Sequence, residues 1–199
     1  MKRVFKSIIA GFLCAAVFSF VPFEANCREL SNEVFRIHIL ANSDSEEDQN
    51  LKLSVRDRII EYAENLLCDA HSKEAAMEII RSNLHTFYDV ARDEILRNGY
   101  DYDVTLSIKN LYFDTRYYGD ITMPGGFYDA LQIRIGNAAG KNWWCVMYPS
   151  LCIFSAAKTD SVEENLTKEE YNIVSSEEGF RLKFKVVELF SGFCNWFRR

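Results

Sequence analysis

The sequence lacks an excess of basic residues, and this limits the partners it can bind. Its 199 residues include 23 lysines and arginines against 29 aspartates and glutamates, so the net charge is −6. A general nucleic-acid binder needs a basic surface, and this charge balance argues against that class. No G-x-S-x-G, H-E-x-x-H or Walker sequence occurs, so these signatures of hydrolases and nucleotide-binding proteins are missing. Internal repeats and low-complexity runs are also absent.

Histidine is scarce, and of the three histidines only His38 is a candidate for acid–base chemistry. It lies in a predicted strand shortly before the acidic turn Asp44–Asp48, which can supply an orienting carboxylate. The alternative is a strand histidine that faces solvent or bonds the loop. The acidic turn lacks the residue spacing of a calcium-binding loop, so a solvated helix start is the simpler interpretation. No cofactor and no metal site is predicted.

Residues 1–27 have the pattern of a signal peptide or an N-terminal membrane segment. Three basic residues precede an apolar, uncharged run from Ile8 to Val21. This run suits a signal peptide and is short for a membrane-spanning helix. Cleavage after Ala25 or after Cys27 fits the small residues there, and an uncleaved anchor is the alternative. In either case we expect the rest of the chain to cross a membrane.

Export changes the interpretation of the cysteines. Cys68, Cys145, Cys152 and Cys194 lie beyond the leader, and four cysteines allow three pairings. Cys145 and Cys152 flank a turn around Pro149 that can bring them together, and a disulfide persists outside the cytosol. The sequence therefore predicts a bond between Cys145 and Cys152. Free core thiols and half of a metal site are the alternatives, but no second ligand pair completes such a site.

Hydrophobic periodicity predicts an α+β fold with a mostly antiparallel sheet, helices packed on one face, and the order β-α-α-β-β-β-α. Ser43, Asp44 or Ser45 is expected to cap the first helix, and Gly99 to end the second. One domain is expected over residues 28–157, followed by an acidic linker and an amphipathic helix over 158–199. The predicted strands span 34–41, 101–113, 127–136 and 142–148, and the predicted helices span 46–68, 73–98 and 178–195.

The stretch Ile121–Cys152 concentrates residues that are costly to expose or hard to replace. It holds four of the nine glycines and two of the three tryptophans. A tight Pro-Gly-Gly turn, Pro124–Gly126, is predicted to lead into a hairpin of the last two strands. Alternation assigns Trp143 to the core and Trp144 to the opposite face. The stretch contains no obvious catalytic constellation, and a well-packed hairpin core is the simplest interpretation.

The C-terminal end is aromatic and basic, from Phe190 to Arg199. Such an end can lie on a membrane surface. The alternative is a helix that covers the sheet and frays at its end. Transient membrane contact through this helix or through the N-terminal segment is therefore an expectation.

Three segments carry long motifs, and together they extend from about Val34 to Ile153. The segments are Phe35-Arg36-Ile37-His38-Ile39-Leu40-Ala41-Asn42-Ser43-Asp44-Ser45 with Glu47-Asp48-Gln49 and Leu51-Lys52-Leu53-x-Val55-Arg56-Asp57, then Met123-Pro124-Gly125-Gly126-x-Tyr128, then Gly136-x-Ala138-x-Gly140-x-Asn142-Trp143-Trp144-Cys145-Val146 with Pro149-x-Leu151-Cys152. These motifs resemble the stage II sporulation protein R family of endospore-forming bacteria. Ser150 departs from the family pattern, which has a second proline there, and Trp196–Arg199 has no counterpart in it.

This resemblance implies a signalling role without catalysis. Members are expected to be exported from the forespore into the space between forespore and mother cell. There they activate a membrane aspartic protease, which processes the pro-form of the early mother-cell sigma factor. An exported hydrolase using His38 and Asp44, or a structural spore or septal protein, is the alternative. Because interfaces favour aromatic residues and rigid turns, the expected partner-binding residues are Asn42, Asp44, Pro124, Gly125, Gly126, Tyr128, Asn142 and Trp144.

Overall fold

The computed structural model describes residues 27–118 and 121–149, together with the single residues Val4, Gly11 and Ala25. The predicted α+β class and mostly antiparallel sheet are confirmed. The leader, the acidic linker and the predicted helix over 178–195 lie outside the described residues. The elements are β1 (Phe35–Leu40), α1 (Glu46–Leu67), α2 (Lys73–Ser82), α3 (Leu84–Arg97), β2 (Val104–Phe113), β3 (Arg116–Tyr118), β4 (Ile121–Met123), β5 (Gly126–Ile135) and β6 (Asn142–Tyr148).

The main sheet has the strand order β2–β5–β1–β6. β1 is parallel to β5, with His38 opposite Gln132, and antiparallel to β6, with His38 opposite Trp144. The predicted hairpin between β5 and β6 is therefore wrong, because β1 lies between them. Alternation identifies a strand and its two faces, but long-range pairing decides which strands are neighbours.

The pairing of β2 with β5 follows from bonds along their length. Gly136 N donates to Asp103 O (2.7 Å) at one end. Further along, Asn110 Nδ2 donates to Asp129 Oδ1 (3.0 Å). Partner numbers that fall on one strand as they rise on the other mean that the two strands are antiparallel.

The helix boundaries follow local capping chemistry. Ser45 Oγ accepts from Asp48 N (3.2 Å) at the start of α1, as the sequence predicted. Ser72 Oγ accepts from Ala75 N (3.1 Å) at the start of α2. Gly99 follows α3 with a φ of +84°, the left-handed geometry that suits glycine after a helix. The Ser45 and Ser72 side chains satisfy backbone N–H groups that a helix start would otherwise leave unpaired.

The helix predicted over 73–98 is two helices, α2 and α3, separated by Asn83. Asn83 has φ −107° and ψ 11°, and its Nδ2 donates to Ile79 O (2.8 Å). Asparagine competes for backbone groups in this way and disfavours a helix interior. The apolar period continues across the break, so the periodicity alone did not show it.

The core lies between the three helices and one face of the sheet. β1 contributes Phe35, Ile37 and Ile39, which are fully buried against helix residues that include Val55 and Ile59. Fully burying an apolar side chain of this size contributes roughly 1.5–3 kcal/mol. The apolar residues that recur at helical spacing along α1 therefore pack against the sheet.

The contacts group into two compact units. Among the described residues, the larger contains Asn32–Tyr112 and residues 127–149, with the three helices and nearly all of the main sheet. The smaller contains Phe113–Gly126, where β3 and β4 pair antiparallel. No strand is predicted between residues 113 and 127, so this small sheet is a correction. In the described ranges no helix is both long enough and apolar enough to cross a membrane.

Candidate functional site

Two loops of the larger unit are bonded together at one end of the sheet. Residues 41–45 follow β1, residues 136–141 connect β5 to β6, and we call them the paired loops. Ala139 N donates to Asn42 O (3.1 Å). Asn137 N donates to Asn42 Oδ1 (2.9 Å). Segments far apart in sequence therefore form one surface of defined shape.

Two glycines make this close approach possible. Gly136 has a φ of +54°, and a Cβ there would overlap the Asn42 side chain. A Cβ at Gly140 would overlap the carbonyl group of Ser43, which is backbone and cannot rotate away. The glycine spacing in this motif is therefore explained by contact between the loops.

Asp48 holds the first of the paired loops from the start of α1. Its Oδ2 accepts from Asn42 Nδ2 (2.8 Å) and from Ser43 Oγ (2.5 Å), and its carboxylate also bonds the Tyr102 hydroxyl. The residue is 4% exposed. Burial raises the pKa of Asp48, but these hydrogen bonds outweigh it and hold the pKa below its usual value.

Asp44 and Lys52 hold the second of the paired loops. Lys141 N donates to Asp44 Oδ1 (2.6 Å). The buried Lys52 donates its Nζ to Lys141 O (3.1 Å) and to Gln49 Oε1 (2.6 Å). Burial lowers the pKa of Lys52, with the Arg56 charge acting in the same direction. Asp44, predicted to bind a partner, is exposed but also has this role within the fold.

A polar relay crosses the sheet on the face opposite the helices. Lys109 Nζ donates to Gln132 Oε1 (3.2 Å), Gln132 Nε2 lies 3.3 Å from His38 Nδ1, and His38 Nε2 lies 3.1 Å from Asn142 Oδ1. The His38 ring stacks on Trp144, with centroids 3.8 Å apart and planes 5° apart. His38 and Gln132 are buried, whereas Lys109 and Asn142 are exposed.

The relay gives His38 amide partners on both ring nitrogens. Burial lowers its pKa, the bond to Asn142 acts in the opposite direction, and the Arg134 charge lowers it further. Asp44, the predicted orienting carboxylate, bonds the Lys141 backbone. The geometry therefore favours a neutral, structural histidine over a histidine paired with a carboxylate.

The remaining predicted contact residues are mostly buried. Tyr128 has no exposed surface, Pro124 and Gly125 are buried, and Gly126 is half-buried. Phe127, assigned by alternation to the core, is 46% exposed. Alternation separated the two faces of β5, but near Tyr128 it assigned the wrong one of them to the buried side. On the larger unit, the predicted residues with exposed surface are Asn42, Asp44, Asn142 and Trp144.

Cys145 is disulfide-bonded, whereas Cys68 is an exposed free thiol. Cys152, the predicted partner, lies outside the described residues, so that pairing stays a prediction. Within residues 27–118 and 121–149, no group of three or more His, Cys, Asp or Glu side chains is placed to hold a metal ion.

The sequence prediction missed the residues that support the exposed ones. Gln132 and Lys109 alternate with apolar neighbours along their strands, and Asp48 ends the turn interpreted as a solvated helix start. None of them, nor Lys52, was predicted as a site residue. Their roles depend on the register between strands and on how the paired loops meet. The available signal is a polar side chain within an otherwise apolar strand, such as Gln132, and it needs the strand order to be used.

Comparison with known proteins agrees with these motifs. The profile of the family described as stage II sporulation protein R matches residues 31–158. Stage II sporulation protein R of Bacillus subtilis (strain 168) is 34% identical over 140 residues, which cover 70% of this chain and 62% of that protein. No solved structure matches the chain. The match contains β1, the paired loops and the relay, and the chain belongs to the stage II sporulation protein R family.

Proposed function

We propose that this protein is an exported signal of sporulation that switches on a membrane aspartic protease. It crosses the forespore membrane into the space between forespore and mother cell. The activated protease then processes the pro-form of the early mother-cell sigma factor. Family membership over residues 31–158 carries this proposal, and the export pattern of residues 1–27 supports it.

The arrangement of the family motifs supports action by binding. The first motif supplies residues 41–45 and the third supplies 136–141, and the two meet in the paired loops. A loop surface held by buried charges and close backbone contacts loses little freedom on binding, which favours affinity. We therefore place the contact surface on Asn142 and Trp144 with the paired-loop residues Asn42 and Asp44. The Pro124–Gly126 turn stays a separate predicted contact.

The activator role is tested by reconstitution in a non-sporulating host. The protease and the pro-sigma factor are expressed with and without this protein, and the processed sigma factor is quantified over time. We expect processing to depend on this protein and to respond as a switch. Equal processing without this protein would refute the activator role. A structural spore or septal protein needs no protease partner, and its loss would show a graded dependence on the amount of protein in place of a switch.

The contact surface is tested in the same host. Asn142→Ala should abolish processing while the protein is still secreted and folded, because Asn142 is exposed and lies at the strand edge beside the paired loops. Glu64→Ala is the matched control, since Glu64 is also exposed but lies on α1. Unchanged processing after alanine substitution at Asn142, Trp144 and Asp44 together would show that the surface lies elsewhere.

A further inference from the structure

We propose that Asn142 presents its amide N–H groups to an oxygen acceptor on the partner, and that Lys109, Gln132 and His38 fix this orientation. The inference rests on the proposed function for the identity of the partner. The orientation itself follows from hydrogen-bond chemistry in the relay.

Lys109 determines which way the Gln132 amide faces. A lysine ammonium group only donates hydrogen bonds, so the Gln132 atom 3.2 Å from Lys109 Nζ is the carbonyl oxygen. The other end of the same amide, its NH₂ group, then points at His38 Nδ1, 3.3 Å away. An amide NH₂ also only donates, so His38 Nδ1 is the acceptor in this contact.

His38 passes the orientation to Asn142. A neutral imidazole whose Nδ1 accepts carries its proton on Nε2. Nε2 therefore donates to the Asn142 atom 3.1 Å away, which is Oδ1. The ring holds this geometry because it is 6% exposed and stacked within 5° of parallel on Trp144. Burial also favours the neutral ring that this direction of bonding requires.

The outer end of the relay is a pair of donors. With Oδ1 occupied by His38, Asn142 turns its NH₂ group away from the ring. Asn142 is exposed, and in the described part of the chain nothing accepts a hydrogen bond from its Nδ2. A fixed donor pair at an exposed strand edge fits a carbonyl or carboxylate oxygen. Fixing the amide beforehand avoids the entropy cost of ordering it on binding.

The relay is tested by ¹⁵N NMR of the imidazole nitrogens in the full protein, labelled with ¹⁵N-histidine. The His38 signals are identified as those lost in His38→Gln, which separates them from His71 and His85. We expect the neutral tautomer with hydrogen on Nε2 at pH 7, and loss of that preference in Gln132→Leu. A His38 ring that is protonated on Nδ1 at pH 7 would overturn the proposed direction.

The donor role is tested with two variants in the processing assay. Asn142→Asp keeps the shape and the acceptor for His38 but removes the outward donors, and Asn142→Ala removes the side chain. We expect Asn142→Asp to reduce the processing rate about tenfold or more, the effect of losing a well-placed hydrogen bond and stranding its acceptor, and Asn142→Ala to abolish processing. Wild-type rates in either variant overturn the donor role. If wild-type protein itself fails to stimulate processing, the proposed function fails, and the NMR result still decides the orientation.

Discussion

The buried carboxylate of Asp48 accepts hydrogen bonds from two different segments of the chain. Asn42 and Ser43 approach it from the first of the paired loops, and Tyr102 approaches it from the chain before β2. Asp48→Asn places an amide NH₂ among these donors. We expect it to reduce the free energy of unfolding by about 1–3 kcal/mol at pH 7, measured by urea denaturation. Asp69→Asn, an exposed change after α1, is the control and should have little effect.

The stability contributed by Asp48 should depend on pH. Its pKa is lowered in the folded protein, because its hydrogen bonds outweigh burial. A lowered folded pKa stabilises the protein above the unfolded pKa of about 3.9, and this stability is lost as pH falls through the folded pKa. The difference between wild type and Asp48→Asn should therefore shrink below about pH 4. A difference that stays constant from pH 7 to pH 3 would contradict the hydrogen-bonded carboxylate.

At the scale of elements, the paired loops depend on space that only glycine leaves. Gly140→Ala should cost about 3 kcal/mol or more, since its Cβ would overlap backbone of the other loop. Gly99→Ala is the matched control: Gly99 has a φ of +84° but open surroundings, so only a conformational cost of about 1 kcal/mol is expected. Urea denaturation measures both. A Gly99 variant less stable than the Gly140 variant would mean that the loops are not closely packed.

The elements themselves were largely readable from the sequence, because their cause is local. Helical spacing predicted the buried face of α1, and the polar turn limited its cap to Ser43, Asp44 or Ser45, of which the structure has Ser45. The split at Asn83 was missed because the apolar period runs through it. The position of β1 between β5 and β6 was missed because pairing depends on contacts about 100 residues apart, such as His38 with Trp144. Asn142 was predicted as exposed, but its relay was invisible until the strand order was known.

At the scale of the whole molecule, the main sheet has two different faces. One packs apolar side chains against the helices, and the other carries the relay from Lys109 to Asn142. The motifs that identify the family contribute to both. A change on the helix face is therefore expected to act through stability, whereas a change at the outer end of the relay acts through binding. The unfolding and processing measurements above separate these two effects.

Cys145 lies in the core on the helix-facing side of β6 and forms a disulfide. Its predicted partner is Cys152. Trypsin leaves both cysteines on one peptide from Asn142 to Lys158, and cyanogen bromide then cleaves after Met147, between them. We expect the two fragments from exported protein to stay joined until reduced, and reduction to cost about 2–3 kcal/mol, because a short loop restricts the unfolded chain only modestly. Cys68→Ser, which removes an exposed free thiol, should change neither result. Fragments that separate without reductant, or a Cys145 peptide joined to Cys194, would refute this pairing.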